Sequence, residues 1–88
     1  MTGSYSIHPS VIHTEIDDSM VLLHLTTKRY YTINSTGVVI WKSLLKQKSV
    51  PEIVAVLLAE YDASEERLQG AVISFLEKLE RAELVQRQ

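Results

Sequence analysis

Arg29-Tyr30-Tyr31-Thr32-Ile33-Asn34-Ser35-Thr36-Gly37 is where the hydrophobic period of this chain changes. Before Asn34 the apolar residues run or alternate, as strands do. After it they return at helical spacing through Ile40, Trp41, Leu44 and Leu45. Tyr30, Tyr31, Thr32 and Ile33 are all strand formers. Asn34 is a strong N-cap type, able to accept from the free amides of a first helical turn. With Asn34 at the cap, Ile33 and Val38 take the two positions of a hydrophobic staple. The stretch reads as a short strand that runs directly into a capped helix, and its open edge carries the functional argument.

Toward the N-terminus, Val11 to Ile16 predicts a first strand, with Ile12, Thr14 and Ile16 on one face and Val11, His13 and Glu15 on the other. Asp17-Asp18-Ser19 predicts a turn, because these side chains satisfy local backbone groups. Met20 to Leu25 is a second strand, antiparallel to the first across so short a connection. Thr26-Thr27-Lys28 makes the next bend, and Arg29 to Ile33 completes a three-stranded antiparallel meander. Residues 1–10 read as a flexible lead-in punctuated by Gly3, Ser4, Ser6 and Pro9, in which Tyr5 and Ile7 have the character to dock. Residues 11–88 form the domain.

Toward the C-terminus three helices are expected. The first covers about Ser35 to Gln47, with Gly37 on its apolar face. The second starts at Ser49-Val50-Pro51-Glu52, where Ser49 caps, Glu52 closes a capping box and Pro51 sits in the tolerant first turn. Ser64 caps the third, and Glu65 and Glu66 complement its dipole. Leu68, Ala71, Val72, Phe75, Leu76, Leu79 and Ala82 form one stripe down this helix to about Ala82, and Leu84 and Val85 tuck in the tail. The fold class is α+β: a small sheet with three helices packed on one side.

The totals narrow the chemistry. A chain of 88 residues is one domain, able to bury somewhat over ~60% of its unfolded surface. A 45% hydrophobic content with only 3 Gly and 2 Pro argues against disorder. The absence of cysteine excludes a disulfide scaffold and a thiolate zinc site, and suits a reducing cytoplasm. No apolar run reaches membrane-spanning length, and residues 1–10 lack the pattern of a signal peptide. His8, His13 and His24 share no ligand spacing, and Asp17-Asp18 reads as a solvated turn. No phosphate-cradling glycine loop or nucleophile motif is present. No metal, cofactor or catalytic role is therefore expected.

Strands with three helices also suit a winged-helix DNA binder. The third helix, however, sets Glu65, Glu66, Glu77, Glu80 and Glu83 against Arg67, Lys78 and Arg81, and the chain as a whole carries net charge -2. Peptide binding fits better. If the third strand lies at the edge of the meander, an extended guest can add beside Arg29, Tyr30, Tyr31, Thr32 and Ile33. About four or five main-chain hydrogen bonds, each worth roughly 1 kcal/mol net, do not offset the cost of association. Side-chain pockets must supply the rest. Leu68, Ala71, Val72, Phe75 and Leu76 are the candidate wall, while the same stripe reads equally well as core. Tyr30 and Tyr31 point to opposite faces, so at most one lines the groove.

The order His24 to Gly37, then Ile40-Trp41 and Leu44-Leu45, then Ile53 to Tyr61, Val72, Phe75-Leu76, Leu79 and Leu84-Val85 resembles the PqqD-like family over roughly residues 11–86. The resemblance implies a winged-helix-like RiPP recognition element. Such a module binds the leader of a ribosomally made precursor peptide as an added strand on the third strand, against the third helix. It implies most closely the small leader-recognition subunit of lasso-peptide maturation, which presents the precursor to a separate transglutaminase-like leader protease before a cyclase closes the ring. The alternative within the family is the carrier chaperone for a quinone-cofactor precursor, working with a radical SAM enzyme. Two positions depart from the family pattern. Lys28 stands where a turn glycine is frequent, and Ala71 where an Asp is often found.

Overall fold

In an antiparallel sheet covered on one side, every second side chain is buried. The computed structural model describes residues 5–87, Asn34 by its backbone alone, and this alternation is clear in β3 (Ser19–His24). Met20, Leu22 and His24 are buried, whereas Ser19, Val21 and Leu23 are partly exposed. β3 lies between β2 (Val11–Ile16) and β4 (Tyr30–Asn34), antiparallel to both. The register carries the inward-facing row across the sheet, although in β2 His13 and Glu15 of that row are exposed. His13 and Tyr31 flank Leu22, while Glu15 and Ile33 flank Met20. On the outer face Ile12, Leu23 and Tyr30 stand in one row.

Three helices cover the inner face: α1 (Thr36–Leu45), α2 (Val50–Glu60) and α3 (Glu65–Arg81). Trp41, Ile40, Ile53, Leu57, Val72 and Leu76 fill the space between, each at most 1% exposed. The architecture is α+β and winged-helix-like. The expected caps of the second and third helices are present. The Ser49 hydroxyl accepts from the Glu52 amide while Glu52 accepts from the Ser49 amide at 2.8 Å, and the Ser64 hydroxyl accepts from the Arg67 amide. No described helix is long and apolar enough to cross a membrane.

The start of α1 differs from the expected one. Asn34 pairs with Ser19 and so extends β4 by one residue. The cap position passes to Ser35, which turns the chain at φ 47° and makes no side-chain cap bond. Asn34 and Val39 thereby replace Ile33 and Val38 in the staple positions; the Asn34 side chain lies outside the described residues. α1 also stops at Leu45 rather than Gln47. Gln47 takes a left-handed φ of 61°, and its amide returns to the Leu44 carbonyl at 2.9 Å.

Within residues 1–10, Tyr5–Ile7 form a strand, β1, which pairs antiparallel with β5 (Val85–Arg87) in a second, two-stranded sheet. Three residues on each side are too few to display a period. Leu84 and Val85 are buried, as expected of the tail.

Candidate functional site

β4 is an edge strand: β3 pairs with one side of it, and among the described residues no strand pairs with the other. Hydrogen-bonded and non-bonded pairs alternate along an antiparallel ladder. The His24 amide donates to the Arg29 carbonyl at 2.9 Å. The next bonded pairs are then Leu22–Tyr31 and Met20–Ile33, by the register. That parity turns the amides and carbonyls of Tyr30, Thr32 and Asn34 to the open side. The backbone of Arg29 is already engaged, since its amide donates to the Thr27 hydroxyl at 3.3 Å. Of the expected row from Arg29 to Ile33, Tyr30 and Thr32 present the free main-chain groups.

The bend that aims β4 is built locally. The buried His24 ring accepts at Nδ1 from the Thr26 and Thr27 amides, at 3.2 and 3.3 Å. Lys28 donates from its amide to the His24 carbonyl and adopts φ 66°. Glycine, expected here from the resemblance, takes such a left-handed backbone freely, whereas lysine adopts it at a steric cost.

The two tyrosines separate as their alternation requires. Tyr30 projects from the outer face, 72% exposed. Tyr31 faces the helices, half-buried beside Leu22. Opposite it stands α3. Leu68, Val72 and Leu76 of the candidate wall are core residues at 8%, 0% and 0% exposure. Phe75 is half-buried and Ala71 exposed, so of the five candidates these two reach the surface. Gly37 makes room for Phe75: a β-carbon on Gly37 would lie 3.1 Å from the end of the phenyl ring and 3.3 Å from the Ile33 β-carbon.

The same flank continues through Lys78 to Ala82 at steps of three and four residues. Beyond Tyr31 and Ala82 lies a cleft of about 370 Å³ lined by Thr27, Arg29, Tyr31, Arg81, Ala82 and Glu83. Lys78, Arg81 and Ala82 were not among the sequence candidates. Continuing the Ala71–Phe75 row by one more turn reaches Lys78 and Ala82, whereas Arg81 lies off that row and is brought in only by the cleft it lines.

The shifted ionisable groups lie elsewhere. Glu80 raises the Arg87 guanidinium above its ordinary value, and hydrogen bonds from Ser49 hold the Glu52 carboxyl below the usual range. Among the described residues no three His, Asp or Glu side chains are gathered to hold a metal ion.

The sequence family described as "Coenzyme PQQ synthesis protein D (PqqD)" matches residues 19–85. Among solved structures the chain is similar to "TbiB1 in Complex with the TbiA(beta) Leader Peptide", with 35% identity over 91% of this chain and 93% of that one, at a TM-score of 0.89. It is also similar to "Lasso peptide synthetase B1 complexed with the leader peptide", with 21% identity over 92% and 95% of the two chains and a TM-score of 0.86, a likeness of fold. No curated protein matches the sequence.

Proposed function

The chain belongs to the PqqD family, and from that premise we propose that it is a non-catalytic RiPP recognition element for the leader of a ribosomal precursor. The leader adds as a strand to β4, bonding to the main chain at Tyr30 and Thr32, and packs its inward side chains between Tyr31 and the Ala71–Phe75 flank of α3. The observation that carries this reading is the unpaired edge of β4 beside a partly apolar helix flank, in a chain 35% identical to one bound to a leader peptide. The precursor is that of a lasso peptide, and the chain delivers it, in the cytoplasm where it is made, to a separate transglutaminase-like protease that removes the leader before a cyclase acts. The family description favours one second reading, a carrier for the precursor of a quinone cofactor. The identity of the precursor that binds separates the two.

Fluorescence polarisation with a labelled leader from the precursor encoded beside this chain tests the proposal. The wild type is expected to bind saturably, and Phe75→Asp, folded by circular dichroism, at least about tenfold more weakly. Val72→Asp is the poorer probe, because a carboxylate at a fully buried site unfolds the domain. A folded Phe75→Asp variant with wild-type affinity would remove α3 from the site. Delivery is tested by adding the chain to the protease and precursor: cleavage should accelerate with the wild type and not with Phe75→Asp.

A further inference from the structure

The charges of α3 are sorted across its width. At about 100° per residue, Arg67 and Lys78 fall on the flank that carries Ala71, Phe75 and Ala82, Arg81 lies about 80° from Ala71 at the edge of it, and Glu66, Glu77 and Glu80 fall toward the far side, with Glu65 over the core stripe. A net charge of -2 conceals this division. At the end of the groove it sharpens, because Arg29 and Arg81 reach one cleft from separate elements, beside Tyr31 and Ala82. Glu83 shares that cleft, yet among the described residues neither arginine has a carboxylate within ion-pair distance, whereas Arg87 holds Glu80 and Lys42 holds Glu15. Two planar guanidinium forks beside half-buried apolar groups match the paired oxygens of a carboxylate.

We infer that the guest strand carries an Asp or Glu side chain at the end beside Arg29, and that Arg29 and Arg81 grip this carboxylate and set the register of the guest along β4. The inference rests on strand addition to β4 and goes beyond it. Main-chain bonds repeat every two residues and do not resist a slip by two. The Phe75–Tyr31 contact accepts many apolar side chains. One charged anchor at the end of the row selects a single alignment and rejects guests that lack it.

The test is an mRNA-display selection of random peptides. Their C-termini are tethered to the message, so side chains supply the free carboxylates. The baits are the full chain as wild type, Arg81→Gln, Arg29→Gln and, as a remote-cation control, Lys46→Gln. The wild type and Lys46→Gln are expected to enrich an acidic residue at a fixed distance from an apolar one, and the two arginine variants to lose that preference. The best acidic peptide should bind Arg81→Gln about tenfold more weakly than wild type. Its Asn or Gln analogue should be weakened similarly on the wild type and no further on Arg81→Gln. Strand-forming peptides without an acidic position, or an acidic preference that survives in both arginine variants, overturn the clamp and leave strand addition standing. A wild-type chain that enriches no peptide overturns both.

Discussion

Lys28 is an L-residue at φ 66° in the bend that launches β4. A β-carbon in that conformation costs roughly 1–2 kcal/mol, part of which glycine returns through its floppier unfolded chain. Lys28→Gly is therefore expected to stabilise the domain by about 0.5–1 kcal/mol. Urea unfolding should show this as a raised midpoint at unchanged slope. A lowered midpoint would mean that the lysine side chain, not the backbone, matters in the bend. Glu83 shows the same habit at the end of α3. At φ 62° it sends its amide to the Glu80 carbonyl, while Leu84 sends its own to Leu79, each at 2.9 Å. In both places a charged residue occupies a position that glycine would fit more easily.

At the scale of elements, β4 makes the sharpest claim. Thr32 turns its amide away from β3, and proline is tolerated on an edge strand when its missing N–H faces outward. Thr32→Pro should leave the domain folded while weakening leader binding at least about tenfold, through a lost donor and a ring in the guest's path. Tyr31→Pro, whose amide serves the internal ladder, should disrupt the sheet. Circular dichroism with polarisation titrations separates the two, and wild-type binding by Thr32→Pro would mean that no strand adds there. The capping box of α2 gives a pH signature. Hydrogen bonds from Ser49 lower the Glu52 pKa in the folded state. A carboxyl with a depressed folded pKa stabilises the fold above its unfolded value and loses that contribution as pH falls through the folded one. Glu52→Gln should therefore lower the Tm at pH 7, and the gap from wild type should close in acid well below about pH 4.

For the whole molecule, β1 and β5 join the two ends of the described chain across the helices. Tyr5 and Ile7 are half-buried against the core, and their strand covers the buried Val85. Removing residues 1–9 should destabilise the domain by about 2 kcal/mol, from two half-buried side chains and the lost pairing, measured by urea unfolding of the truncated chain. The sorting of charge across α3 also bears on the winged-helix alternative. A recognition helix in a major groove has phosphates along both walls. Glu66, Glu77 and Glu80 would face one of them, whereas a strand added to β4 would meet the opposite flank, with Glu83 its one carboxylate among the described residues.

Residue order alone determined the meander, the three helices and the Ser49 and Ser64 caps, because period and cap chemistry are local properties. The resemblance to the PqqD-like family, not residue order, marked Lys28 as unusual, and neither gave the conformation behind it. Whether a residue on the α3 stripe is floor or wall was settled only in three dimensions. The stripe is wider than one packing contact, and periodicity reports that a position avoids water without saying which neighbour covers it. Leu68, Val72 and Leu76 went to the core, while Ala71 is exposed and Phe75 half-buried on the flank that continues to Lys78 and Ala82. Tertiary structure likewise brought Arg29 to Arg81 and β1 to β5, pairs far apart in the chain, and moved the α1 cap to Ser35 because Asn34 was taken into the ladder. Each of these outcomes depends on a partner that sequence spacing does not name.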